Sequence, residues 1–276
     1  MNQLRQTIEA KISGIANDQK ILSLLTQEFL QSRVSHTIFQ LSPSDKWRVL
    51  SGARVEPVSD WVLNKLLTEY ERRQADAAVE LYMASASIQH GETLCGRLWE
   101  RQVLKYLDSH HSPQTFTIRS LTNSTLSQWT YPGPVRRADF LTPSFTPSLQ
   151  VAVDTQQPRH LVPWDPNFPT LGSVLYDPSG PLTCIQVTLR KKHPAVVLGF
   201  KRIQGWLKRN ALLASLRPST SGKHWYLLFV VPEVMASAYR LQEFEGDTKQ
   251  NEWPRKVDQY VLGLEEDVVW GKKLTI

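Results

Sequence analysis

Along residues 1–33, Leu4, Ile8, Ile12, Ile15, Leu22, Leu25 and Phe29 recur mostly at three- to four-residue steps. That is the period of one apolar helix face, with an interruption at Gly14 or at Asn17-Asp18. Residues 35–56 carry no clear period apart from a short strand candidate, His36–Leu41. Ser59-Asp60 suits a helix N-cap. The helix it predicts runs to about Ser85, with Trp61, Leu63, Leu66, Leu67 and Tyr70 on one side. A third helix is predicted over Glu92–Leu107, with Leu94, Leu98, Val103, Leu104 and Leu107 turned inward.

From about residue 115 the period changes to that of strands: Thr115–Arg119, Leu149–Val153, His160–Val162, Leu171–Tyr176, Leu182–Leu189 and Trp225–Val231. Asp177-Pro-Ser-Gly180 is a turn signature that joins two of these as a hairpin. Residues 122–147, rich in Ser, Thr and Pro, predict a long surface excursion. Val196–Leu213 and Glu233–Phe244 predict helices, and Val257–Leu264 a closing strand. The order predicts an α/β or α+β mixed-sheet core with an N-terminal helical region. The expected division is a helical part over 1–88 and a sheet domain over 89–276.

A hydrophobic content of 41% with nine Trp excludes a disordered chain. Two cysteines, Cys95 and Cys184, supply neither a disulfide framework nor zinc spacing; packing in a reducing compartment is the reading for both. The first ten residues lack the apolar run of a secretion leader. The longest apolar run, Trp225–Val231, is too short to span a bilayer. A soluble intracellular protein, nuclear or cytoplasmic, is the expectation.

Charge sharpens the picture. The net charge is +6, yet the 55 residues between Asp177 and Glu233 contain nine Lys or Arg and no acid. The rest of the chain is therefore net acidic, and the basicity is local, as on a binding face. Lys201 and Lys208, and likewise Arg202 and Arg209, are spaced i,i+7 on the predicted helix, while Phe200, Ile203, Trp206 and Leu207 take its apolar side. Arg190, Lys191 and Lys192 precede it, giving seven cations around one helix and its entry. No acid interleaves to make the i,i+4 ion pairs of a purely structural charged helix, so the group reads as a phosphate-binding surface. Arg136-Arg137 is a second basic pair.

Several landmarks occur in one order. Gly96-x-x-x-Glu100 with Val103-Leu104 and Leu107 lies on a helix. Pro163-Trp-Asp-Pro-Asn167-Phe-Pro169-Thr-Leu-Gly172-Ser173 leads into the hairpin, followed by Gln186-Val-Thr188 and His193-Pro194. The basic helix, Leu227-Leu-Phe229-Val-Val-Pro232 and Val257-Asp-Gln-Tyr260-Val-Leu complete the series. From about His36 to Leu264 the chain resembles the C-terminal, nuclease-like part of Crinkler (CRN) effectors and retrotransposon hot spot (RHS) proteins. The resemblance implies a restriction-endonuclease-like core of the PD-(D/E)XK superfamily. Many such relatives carry a preceding ATPase domain; no Gly-x-x-x-x-Gly-Lys-Ser/Thr run occurs here.

Nucleases of this fold set a helix carboxylate, a strand Asp and a Glu/Gln-x-Lys of the next strand around Mg²⁺, which polarises the phosphate and activates water. The resemblance assigns Glu100 to the helix carboxylate, Gln186 to the second strand acid and Thr188 to the Lys position. Thr188 cannot replace a cation, although Lys191 or Lys192 could swing in. Gly172 stands where relatives carry the Asp. Asp165 or Asp177 could substitute only if the backbone brought one within reach, and on a regular strand Asp177 points away from the face of Gly172. Plainer readings stand beside these: Glu100 as a solvated helix residue, Gln186 and Thr188 as the polar face of a strand, His193 as a cap of the following helix, Asn167 as a turn former.

The leading expectation is a DNA-binding, nuclease-like protein that contacts backbone phosphates and is catalytically degenerate. One alternative is an active Mg²⁺-dependent DNA endonuclease, with Glu100 and Gln186 holding the metal and His193, Lys191 or Lys192 assisting the transition state. Another is a non-enzymatic effector that docks a protein partner through residues 1–85. Crinkler relatives imply action in a host nucleus.

Overall fold

A computed structural model describes residues 6–10, 12, 39–42, 54–57, 62, 65, 68–69, 77–87, 92–140, 142–163, 168, 171–246 and 252–274. The chain divides into two compact units, 1–99 and 100–275. In the first, β1 (Phe39–Ser42) pairs antiparallel with β2 (Arg54–Pro57), Leu41 opposite Val55. Residues 6–10 and 62, 65 and 68–69 are helical. Ile12 and Val62 are buried, and Lys65 pairs with Glu9 at 3.5 Å. α1 (Ala77–Ser87) and the start of α2 (Glu92–Asp108) complete the unit. The rest of the predicted N-terminal helices lies outside the described residues.

The second unit is built on an eight-stranded mixed sheet. Its strands are β3 (Gln114–Ser120), β4 (Leu126–Tyr131), β5 (Arg136–Phe140), β6 (Arg159–Pro163), β7 (Ser173–Tyr176), β8 (Thr183–Val187), β10 (Trp225–Pro232) and β12 (Val257–Leu264). In space the order is β4-β3-β12-β10-β8-β7-β6-β5. β6, β7 and β8 form an antiparallel meander. The helix α4 (Val197–Lys208) then crosses over to β10, which runs parallel to β8, and β12 lies parallel to β10. The fold class is mixed α/β.

β8 and β10 read as near-continuous apolar runs because both of their faces are covered. On one face, α3 (Thr142–Thr155) contributes Phe145, Leu149 and Ala152, and α4 contributes Phe200, Ile203, Trp206 and Leu207. They pack with Val174, Tyr176, Cys184, Leu227, Phe229 and Val231. Each large side chain buried this way contributes about 1.5–3 kcal/mol.

α3 overturns the predicted strand Leu149–Val153. Leu149 is fully buried while Val151, two residues on, is 52% exposed. Positions two apart share a strand face but not a helix face, and the inward set Phe145, Leu149, Ala152 follows the helical period. The predicted surface excursion 122–147 instead holds β4 and β5, the two edges of the sheet. In β4 the buried Trp129 and Tyr131 alternate with exposed neighbours, a period masked by the Ser and Thr around it.

Two further helices are shorter than their sequences predict. α4 ends at Lys208, and the Asn210 side chain accepts from Leu212 N–H at 3.0 Å to start a separate 3-10 segment, Ala211–Leu216. α5 spans only Glu233–Ala236. The Arg119 guanidinium donates to Ala236 O at 2.6 Å and Tyr239 O at 2.9 Å, satisfying carbonyls that a longer helix would use. A two-residue ladder, β9 (Ala195–Val196) with β11 (Phe244–Glu245), follows. α6 (Glu266–Trp270) ends the described chain beyond β12. Among the described residues no helix is long and apolar enough to cross a membrane.

Candidate functional site

α2 brings its polar residues to one face of the sheet. Ser173 is paired with Ile185, Leu175 with Thr183, and His160 stands opposite Leu175, so Ser173 and His160 share a face. His160 contacts Asp108, the last residue of α2, which places the C-terminal part of that helix over this face. Glu100 lies two turns earlier on the same helix. Its Oε1 stands 2.7 Å from the position a Cβ would take at Gly172.

Gly172 N–H donates to Ile185 O at 2.9 Å, and Ile185 is also the partner of Ser173. Two residues thus oppose one, which makes a β-bulge. The bulge turns Gly172 to the side of Ser173 and Glu100, so Asp177, four residues beyond Ser173, falls on the same alternation as Gly172 and not the opposite one. Asp177 is nevertheless committed elsewhere. At the hairpin tip its Oδ1 accepts from Ser179 N–H at 3.0 Å and from the Ser179 hydroxyl at 2.9 Å. Asp165 and Asn167 lie outside the described residues.

Glu100 and Gln186 are not brought together. Ile185 faces the side of Ser173, so Gln186 and Thr188 project to the opposite side of β8, where Gln186 is opposite Phe229 of β10. Both are buried. Gln186 Nε2 donates to Val187 O at 3.2 Å. The Thr188 hydroxyl accepts from Arg190 N–H at 3.0 Å and so shapes the turn into the basic loop. Among the described residues no group of three His, Cys, Asp or Glu is placed to hold a metal ion. One carboxylate, a glycine where a second is wanted and an amide on the far face do not fit a hard, strongly hydrated cation such as Mg²⁺.

Beside Gly172 lies a buried relay that the sequence did not signal. The Ser173 hydroxyl is 2.7 Å from His160 Nε2, and His160 Nδ1 is 2.7 Å from Asp108 Oδ1. The Tyr131 hydroxyl donates to the same Asp108 oxygen at 2.7 Å, and Arg137 reaches Oδ2 at 3.4 Å. With Asp108 ionised, His160 Nδ1 donates to Oδ1, and Nε2 meets the Ser173 hydroxyl. Burial pushes the Asp108 carboxyl up, but His160, the Tyr131 hydroxyl and Arg137 outweigh it and hold it below the usual carboxylate range. Burial, and then Asp108, push the Tyr131 hydroxyl up.

The order Ser–His–Asp is that of a hydrolytic triad, but Ser173 and His160 are 0% exposed. A nucleophile must meet its substrate, and this one sits inside a strand pair. The relay joins the end of α2 to β4, β6 and β7. Only the fold brings together His160 and Asp108, 52 residues apart in sequence.

The cations are arranged differently. Lys201, Arg202 and Lys208 on α4 and Arg209 at its C-cap are exposed, as are Arg190, Lys191 and Lys192 before it. Phe200, Ile203, Trp206 and Leu207 are buried, so the helix turns its apolar side in and its cations out. Arg202 lies over the Phe168 ring, 5.8 Å from its centroid. His193 is held by its backbone, whose N–H donates to Gln242 Oε1 at 2.7 Å. Burial, and then the Arg190 charge, push its ring below the ordinary imidazole range, favouring the neutral form. Arg137 is occupied by Asp108 and Asp139, so the Arg136-Arg137 pair does not offer two uncommitted cations. Burial pushes the Cys184 thiol up, in line with packing. Comparison with protein-family models, curated proteins and solved structures finds no match in any of the three.

Proposed function

We propose that this protein binds DNA through its backbone phosphates, on a restriction-endonuclease-like domain of the Crinkler and retrotransposon hot spot type that has lost its metal centre. The observation that carries the proposal is the exposure of all seven predicted cations, Arg190, Lys191, Lys192, Lys201, Arg202, Lys208 and Arg209, around one helix and its entry loop. Phosphate contacts of this kind position a protein on nucleic acid without reading its sequence.

Two observations support the nuclease ancestry. The succession of α2, the β7–β8 hairpin, α4 and a parallel β10 places a helix, two adjoining strands and a crossover in the order the family resemblance asks for. The helix carboxylate of Glu100 stands against position 172, the position of the strand Asp in relatives. Gly172, and Gln186 lying on the other face of the sheet, support the reading that catalysis has been lost.

The test is fluorescence anisotropy with a labelled DNA duplex at rising salt, together with plasmid nicking in Mg²⁺ or Mn²⁺. With about four to six phosphate contacts, log K should fall against log salt with a slope of about −4 to −5, with no nicking. Absence of binding, or binding indifferent to salt, overturns the proposal. Nicking that disappears in Glu100→Ala replaces it with an active endonuclease.

A further inference from the structure

The basic loop between β8 and β9 is anchored by one buried amide. Gln242 Oε1 accepts from His193 N–H at 2.7 Å. Gln242 Nε2 donates to Arg240 O at 2.6 Å and reaches Lys191 O at 3.4 Å. One nitrogen therefore holds two carbonyls, one on the basic loop and one on the segment after α5. Gln242 is itself fixed by a reciprocal pair: its N–H donates to Gln259 Oε1 at 3.0 Å, and Gln259 Nε2 donates to Gln242 O at 2.8 Å. The two glutamines are 5% and 2% exposed. Leaving a buried amide without partners costs about 1–3 kcal/mol, so this network admits few alternative geometries.

The amide fixes backbone, and the side chains on that backbone point outward. Lys191 and Arg240 are both exposed. Ala195 N–H continues the seam by donating to Glu243 O at 2.8 Å. A loop bearing three consecutive cations repels itself and is costly to order on a polyanion, and a preformed loop avoids that cost.

We propose that Gln242 is the positioning residue of the phosphate-binding loop and that Arg240, set beside Lys191 by the same amide, is a further cation of the DNA-contacting surface. The proposal rests on the DNA-binding reading above. Sequence alone did not suggest Arg240, because it lies beyond the acid-free stretch and 49 residues separate Gln242 from the loop residue it holds.

The experiment compares the 276-residue chain with Gln242→Leu, Arg240→Ala and Val103→Ala by duplex-DNA anisotropy across salt, with thermal unfolding in parallel. Val103 is fully buried in α2, so its truncation lowers stability without touching the loop. Gln242→Leu is expected to weaken binding at least about fivefold and to flatten the salt slope by about one to two contacts. Arg240→Ala should flatten it by about one, and Val103→Ala should leave it unchanged. If Gln242→Leu does not fold, Arg240→Ala alone decides the assignment of that cation, and Gln242→Asn, which shortens the amide's reach, decides the positioning. Wild type without salt-dependent binding removes the DNA-binding reading. Wild type that binds steeply, with Gln242 and Arg240 variants behaving like Val103→Ala, overturns the positioning proposal alone.

Discussion

Glu100 Oε1 lies 2.7 Å from where a side chain at Gly172 would begin. The obstructing atom ends a flexible side chain, so a residue at 172 is admissible once Glu100 rotates. Gly172→Asp sets a second carboxylate against the first, and like charges at that range disfavour joint ionisation. The variant is expected to lose about 1–3 kcal/mol without divalent cations and to regain stability with Mg²⁺ or Mn²⁺, because an ion bound only by the folded state stabilises it. Thermal unfolding with and without metal, and calorimetry of Mg²⁺ binding, read the effect. Identical curves in both conditions would place Gly172 outside any former metal centre.

Asp108 ties α2 to three strands through His160, Tyr131 and Arg137. Asp108→Ala leaves the buried His160 and the Tyr131 hydroxyl without their acceptor and should cost about 3–5 kcal/mol. Its folded carboxyl lies below the ordinary 3.8. A depressed carboxyl contributes stability that is present above its unfolded value and lost as pH falls through its folded value. The stability gap between wild type and Asp108→Asn should therefore narrow in the acid range below that unfolded value. Urea midpoints at neutral and strongly acid pH measure it, and an unchanged gap would deny Asp108 this electrostatic role.

The parts of the fold legible in sequence were those whose signal is local. β8 and β10 announce themselves as largely apolar runs, and Asp177-Pro-Ser-Gly180 carries its own turn chemistry, seen in the Asp177–Ser179 bonds. The cations of α4 were legible for the same reason. Leu149–Val153 misled because three β-branched or apolar residues in a row suit a strand, and only Phe145 and the exposure of Val151 reveal the helix. Elements of the site that depend on a distant partner were hidden. The bulge at Gly172 exists only through Ile185, the relay only through His160 meeting Asp108, and the loop anchor only through Gln242 meeting Gln259.

His193 was a natural suspect for phosphate contact or proton transfer. Burial and the Arg190 charge hold its ring below the ordinary 6.5, so at pH 7.5 it adds no cation. His193→Gln is expected to leave duplex affinity at that pH within about twofold; its backbone bond to Gln242 survives the change. A folded pKa depressed in this way contributes stability present above 6.5 and lost as pH falls through the folded value. Wild type should accordingly weaken relative to His193→Gln on acidification. A loss of affinity beyond about tenfold at pH 7.5 would mean that the ring touches the ligand.

The C-terminal end of α4 lies within the field of one carboxylate, Glu252. Glu252 is bonded to Lys256, and that bond and charge, then the charges of Arg255 and Lys208, hold its carboxyl below the ordinary range. Its charge offsets part of the field that Lys208 and its neighbours present to phosphate. Glu252→Gln should tighten duplex binding by about two- to fivefold near 0.1 M salt and steepen the salt slope by up to about one. Lys208→Ala should flatten that slope by about one, and in the Glu252→Gln background by no less. Lys201 lies two turns nearer the helix start and serves as the comparison. If Lys201→Ala weakens binding while changes at Lys208 and Glu252 do not, the phosphate path leaves α4 before its last turn and follows Arg190–Lys192 and Arg240 instead.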